Sequence, residues 1–105
     1  MPVTVLISEQ TVSAGETAAA AFRTLPNATL IGQPTQGALS DVLQKKLPNG
    51  WTFTLSNEVF TMVDGTIPEG KGVVPHIKTN VPPSPKTPAE RFKPDIDEAM
   101  RALKR

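Results

Sequence analysis

Two rhythms of apolar positions divide this chain. Val3-Thr4-Val5-Leu6-Ile7 is short, almost continuously apolar and rich in β-branched residues, which predicts a strand buried on both faces inside a sheet. Such a strand needs neighbours on both sides and a chain seldom opens on its central strand, so further sequence is expected before Met1. After the polar stretch Ser8 to Thr11, the residues Ala14, Thr17, Ala18, Ala21, Phe22 and Leu25 fall at helical spacing. They predict a helix whose small, apolar face packs closely on a sheet, and Pro26 ends it. Ala28-Thr29-Leu30-Ile31 predicts a second buried strand, closed by Gly32. A strand, helix, strand unit of this kind favours a parallel pair with a right-handed crossover.

From Ser40 the pattern changes to strict alternation, with Trp51, Phe53 and Leu55 separated by Thr52, Thr54 and Ser56, the mark of a half-buried strand. Asn49-Gly50 before it is the preferred pair for a two-residue hairpin turn in which both residues take positive φ, so the flanking strands are expected to pair antiparallel. Glu58 to Val63 is a further apolar run ending in the turn signal Asp64-Gly65. Pro68 to Pro75 reads as a fixed loop, and Asn80 to Pro88 as a proline-rich crossing. A last helix is expected from Pro94, with Asp95, Asp97 and Glu98 near its positive end, Arg101, Lys104 and Arg105 near the other, and an apolar stripe of Ile96, Ala99, Met100 and Leu103. Parallel and antiparallel pairing together predict an α/β fold with a mixed sheet and flanking helices.

Composition narrows what such a chain can do. At 105 residues it forms one small domain with little stability to spare. Hydrophobic residues at 38% and charged residues at 20% keep it clear of the disordered class. Five of its eleven prolines lie between Pro82 and Pro94, so the proline enrichment marks one extended segment. A net charge of +1, with no like-charged run beyond Lys45-Lys46, lacks the footprint that nucleic-acid or anionic-membrane binding requires. There is no cysteine, hence no disulfide, thiolate metal site or cysteine nucleophile. No apolar run suits a membrane helix and no signal peptide opens the chain; if a parent protein is exported, its signal lies upstream.

The position with most chemical interest is Ser13, between the loop that trails a buried strand and the start of a helix. Unpaired amides and the helix dipole there would stabilise a developing oxyanion. The same residues, Ser13-Ala14-Gly15-Glu16, also spell a capping box, in which Ser13 and Glu16 only satisfy each other's amides. On pattern alone capping is the favoured reading.

The string VLISEQTVSAGETAAAAFRTLPNATLIGQPTQGALSD resembles the nucleophile region of the C-terminal processing (tail-specific) serine peptidases. LPNGWTFTLSNEVF resembles that family's hairpin, and Glu69-Gly70-Lys71-Gly72-Val73-Val74-Pro75 its closing EGxGxxPD segment, so the resemblance spans Val3 to Pro75. It implies a ClpP/crotonase-like fold of which only the C-terminal portion is present, with residues 1–79 in the catalytic domain, 80–93 as the proline-rich crossing and 94–105 as the closing helix. It implies Ser13 as nucleophile and the Ala14 amide as one oxyanion donor, the other donor coming from a missing N-terminal half. In the tail-specific branch a lysine base follows the glycine of the PTxG turn, whereas here Pro34-Thr35-Gln36-Gly37 leads to Ala38. The sequence is therefore nearer the tricorn-core and retinoid-binding-protein-like branch, whose general base is a histidine of the N-terminal half. His76, the only histidine, stands where the family has aspartate and is not expected to be that base; Lys45 and Lys46 read as solvated strand residues. Glu69 is the candidate support for the serine and histidine pair, although a solvated loop carboxylate is the blander reading; Asp41 is a weaker alternative.

The expectation is thus a fragment of a serine peptidase that hydrolyses peptide bonds, inactive alone for want of its base. It would need no metal or cofactor, and act on a peptide or protein substrate. Binding of nucleic acid and membrane insertion are not expected, whereas self-association of the fragment through the uncovered flank of its first strand is. A bacterial, extracytoplasmic setting is implied by resemblance alone. Two alternatives stand beside this reading: a non-catalytic peptide-binding or pseudoenzyme module of the same fold, and an interaction domain in which Ser13 is only a cap.

Overall fold

The computed structural model describes all residues, 1–105. Its elements run β1 (Val3–Ile7), α1 (Ala14–Arg23), β2 (Ala28–Gly32), β3 (Val42–Lys46), β4 (Thr52–Ser56), β5 (Ile77–Lys78) and α2 (Pro88–Leu103). Three strands form a parallel sheet in the order β1-β2-β5, with Val3 opposite Ala28, Ile7 opposite Gly32, and Ile31 opposite Ile77. The strand, helix, strand unit is present as the sequence predicts, because its two apolar runs are long enough to pair over five residues. The middle strand, however, is β2. Leu30 and Ile31 are completely buried, while β1 lies at an edge with one neighbour and leaves Leu6 43% exposed. An apolar run reports the burial a strand seeks, not how many neighbours it finds.

The core gathers Ile7, Ala19, Ala20, Leu30 and Val73, with Val5, Phe60 and Met62 packed against it. Helix α1 contributes through Glu16, Ala19 and Ala20, not through the stripe the spacing suggested: Ala14, Thr17, Ala18, Ala21, Phe22 and Leu25 are all exposed. Four consecutive alanines, Ala18 to Ala21, offer two equally small faces, and hydropathy cannot choose between them. The choice is made by Glu16, which must face inward to reach its donors.

Antiparallel pairing is present between β3 and β4, with Lys46 opposite Thr52, but the hairpin forms its own two-stranded sheet instead of joining the parallel one. All ten of its strand residues are exposed, so the expected half-burial of Phe53 and Leu55 does not occur within this chain. The turn differs too. Pro48 fixes a negative φ, so the Gly50 amide closes a turn onto the Leu47 carbonyl at 2.9 Å, and of Asn49 and Gly50 only Gly50 takes positive φ, at 90°. The run Glu58 to Val63 forms no strand, although its turn signal is real: the Gly65 amide donates to Met62 at 2.9 Å.

Helix α2 starts at Pro88, before the expected Pro94. Thr87 caps it by accepting the Glu90 amide at 3.1 Å, Glu90 accepts the Lys86 amide at 2.8 Å, and Pro94 is carried inside the helix. It packs on β1 and β2 with Asp95 and Ala99 buried.

Candidate active site

The loop that leaves β1 is tied tightly to itself. The Ser8 amide donates to the Thr11 hydroxyl at 3.1 Å, the Thr11 amide to the Ser8 carbonyl at 2.9 Å, and the Gln10 amide to the Ser8 hydroxyl at 3.2 Å. This knot delivers the chain to Ser13 at the head of α1. Ser13 has φ 54° and ψ −122°, a conformation L-residues rarely adopt, at a cost of about 1–3 kcal/mol. A capping serine would instead have extended φ/ψ and a hydroxyl accepting an amide from the first turn. Here only Glu16's half of the box is made, since its carboxylate accepts the Ser13 amide while the Ser13 hydroxyl makes no side-chain capping hydrogen bond.

Main-chain bonds hold the conformer. The Ser13 amide donates to Glu16 Oε2 at 3.0 Å and to the Ala38 carbonyl at 3.0 Å, while its carbonyl accepts the amides of Glu16 at 2.8 Å and Thr17 at 3.1 Å. The Gly15 amide is spent on Val12 at 3.1 Å. Ala14, the first helical residue, is thus the one residue of Ser13 to Thr17 whose amide has no acceptor, and it is exposed. A free N–H directly after Ser13, at the positive end of α1, is the arrangement that can stabilise negative charge developing on an oxygen bound there.

Glu16 is completely buried. Besides the Ser13 amide it accepts those of Gly37 at 2.6 Å and Ala38 at 2.9 Å, so one carboxylate joins the Ser13 loop to the turn that follows β2. Burial pushes its pKa up, but the Thr35 hydroxyl and the Gly37, Ala38 and Ser13 amides outweigh this and hold it below the ordinary carboxylate value. Sequence reasoning assigned Glu16 the capping role only. Its serine-to-glutamate spacing was the available signal; the partners at 37 and 38 are visible only in three dimensions. Thr35, also buried, exchanges bonds with Val73: its hydroxyl accepts the Val73 amide at 2.6 Å and its own amide reaches the Val73 carbonyl at 3.1 Å. The approach is close enough that a Cβ on Gly72 would sit 2.0 Å from the Thr35 carbonyl oxygen.

Ser13 and Ala14 border an open hollow of about 570 Å³ floored by Thr17, Ala18 and Ala21 of α1 and walled by Leu39 and Phe60, with Asp41 and Glu58 at its edge. The α1 face that is absent from the core therefore lines the space beside Ser13. Glu69 does not border this hollow. Its Oε2 accepts the amides of Leu39 and Ser40, both at 3.0 Å, and so shapes the loop that forms one wall. His76 is elsewhere too: Nδ1 accepts the Leu30 amide at 2.9 Å and its own amide donates to the Leu30 carbonyl at 2.8 Å. Burial first, and the Arg23 charge second, hold its pKa below the ordinary imidazole value. Lys45 and Lys46 lie exposed on β3. No group of three or more His, Asp or Glu side chains is placed to hold a metal ion.

Ser13 thus stands, in a backbone conformation L-residues rarely adopt, where a loop leaving a parallel sheet meets the start of a helix. Residues 1–79 match peptidase family S41, and the chain belongs to that family. It is 33% identical over 87 residues to the carboxy-terminal processing protease CtpA of Bacillus subtilis (strain 168), covering 83% of this chain and 19% of CtpA. Its fold is similar to that of a putative peptidase from Parabacteroides merdae, with TM-score 0.79 and 27% identity over 97% of this chain and 31% of the other. It is likewise similar to the tricorn protease, with TM-score 0.73 and 25% identity over 97% of this chain and 10% of that one. The chain thus spans a third or less of each of these relatives.

Proposed function

We propose that this chain is the nucleophile-bearing part of a serine peptidase and that its general base, a histidine, is contributed by residues outside it. The observation that carries the reading is the pairing of Ser13, held at φ 54° and ψ −122°, with the unclaimed Ala14 amide next to it. Ser13 Oγ attacks the carbonyl carbon of a peptide bond, and its proton passes to the external histidine. The carbonyl oxygen takes up negative charge against the Ala14 N–H and a second donor, also external. Collapse expels the amine, which receives that proton, and water then releases the acyl group from Ser13 by the same route in reverse. An external base is favoured because the chain's one histidine, His76, is engaged with Leu30, and Ala38, where a serine and lysine pair would have its lysine, has no amine. The missing lysine at Ala38 favours the histidine-dependent, tricorn-like branch over a serine and lysine pair. Glu69, with Oε1 unengaged, is available to support the histidine once the loop at Leu39 and Ser40 is in place.

The test is the coding sequence upstream of Met1, followed by kinetics on the longer polypeptide. A segment bearing a histidine is expected there, and Ser13→Ala is expected to lower kcat about 10³-fold or more with KM little changed. Activity that survives Ser13→Ala would refute the reading. On its own the 105-residue chain should not cleave peptides; robust Ser13-dependent cleavage by the chain alone would show that the base is internal.

A further inference from the structure

We propose that Arg91, on α2, is a positioning residue for the loop that delivers Ser13. The proposal rests on Ser13 being the nucleophile for its functional meaning, while the mechanical link stands by itself. Arg91 is only 12% exposed, and its Nη2 donates to both carboxylate oxygens of Glu9, at 2.9 and 2.7 Å. Its Nη1 faces Asp95 Oδ2 at 3.6 Å, and both atoms are buried with no hydrogen-bond partner. As a staple this is poor. A desolvated guanidinium with part of its donor set unmet adds little net stability, and an apolar side chain of equal volume would serve as well. As a locator it is good, because a buried cation with a fixed fork accepts a carboxylate in one place only.

Where that place lies gives it consequence. Asp95 accepts the Thr79 hydroxyl through Oδ1, and Gln33 donates to the Thr79 carbonyl. Glu9, Gln33 and Thr79 each follow one strand of the parallel sheet, β1, β2 and β5, so α2 is tied directly to the carboxyl ends of β1 and β5 and, through Thr79, to that of β2. That edge of an open α/β sheet is where its functional loops leave. Glu9 lies inside the Ser8 to Thr11 knot, and the Thr11 carbonyl accepts the Gln36 amide at 2.9 Å. A shift of Glu9 therefore reaches Ser13 along the chain and, through Thr11, the turn at Gly37 and Ala38 that Glu16 clamps.

Amide hydrogen exchange by NMR on the 105-residue chain decides it, at Thr11, Ser13 and Gln36 against Leu30 and Ile31 in the core strand. Glu9→Ala is the leading variant, since Glu9 is half exposed and the change deletes no core side chain. Exchange at the three loop amides should rise about five- to tenfold while β2 stays within about twofold. Arg91→Lys should fall between wild type and Arg91→Met, and Glu9→Ala combined with Arg91→Met should be no faster at these amides than Arg91→Met alone. Raising the salt should speed loop exchange in the wild type and not in Glu9→Ala. Unchanged loop exchange in Glu9→Ala, or a rise equal to that of β2, would overturn the proposal. If Arg91→Met does not fold, Glu9→Ala and the salt series still decide. None of these readings involves catalysis, so a failed Ser13 assignment and a failed Arg91 assignment give different results.

Discussion

Ser13 keeps an unfavourable backbone conformation because its neighbours leave it no other way to satisfy its amide, and Glu16 is chief among them. Glu16→Gln keeps the shape but turns a carboxylate that accepts three amides into a group with a donor of its own. At pH 7 it should cost about 2–3 kcal/mol, the scale of hydrogen bonds to a charged group. The folded pKa of Glu16 lies below its ordinary 4.5, so its contribution is complete above that value and is lost as pH falls through the folded pKa. Urea titrations at pH 7 and pH 3.5 should show the gap between wild type and Glu16→Gln narrowing in acid; an unchanged gap would mean that Glu16 does not titrate as a buried carboxylate. His76 gives a second pH signature. Its folded pKa lies below 6.5, so the unfolded chain binds the proton more readily, and stability falls as pH drops below 6.5. His76→Asn offers an acceptor that does not titrate, so it should lose less Tm than wild type between pH 7.5 and pH 5.5.

Among the elements, the two loops that close behind Ser13 interlock through glycine. A Cβ on Gly37 would lie 2.8 Å from the Lys71 amide nitrogen, and at φ 84° the residue is already in glycine territory. Gly37→Ala should therefore cost about 1–3 kcal/mol from strain alone and more from the clash, read as a lowered Tm; an unaltered Tm would mean that the loops do not lock. None of this was visible in the sequence, where Gly37 and Gly72 are only turn signals 35 positions apart. What the sequence did disclose follows the same logic of distance. The β1, α1, β2 unit and the pairing of β3 with β4 are local and were legible. By contrast β5 has only Ile77 and Lys78, too short for any period, and exists because His76 and Thr79 bond to β2 on either side of it. Pro94 suits a first helical turn, but Thr87 caps α2 earlier and the helix carries Pro94 inside it, so the proline does not mark the start. At the site, the resemblance directs attention to Ser13 and Ala14, while the inward turn of Glu16 has no local signature because its partners at 37 and 38 lie across the fold.

The molecule as a whole is a slab of 59 × 36 × 19 Å. Its radius of gyration is 16.7 Å, where a compact chain of this length has about 13 Å. The hairpin is open along its length, with Trp51 72% exposed and Val42, Leu43, Phe53 and Leu55 exposed with it. Surfaces of this kind seek cover. The isolated chain should self-associate in light scattering as its concentration rises, and replacing Phe53 and Leu55 together by lysine should shift it towards monomer with β2 unperturbed; a monodisperse monomer of the wild type would count against this.

Only 18 of 105 residues are buried, and that thinness governs how the fold comes apart as well as how it sticks. Denaturant sensitivity scales with the new surface that unfolding exposes. A body already wetted on so much of its surface gains little, so urea should melt the monomer over a broad range, with a slope below about 1 kcal/mol/M. A companion that covers α1 and the hairpin would announce itself by steepening that slope, before any bond is cut.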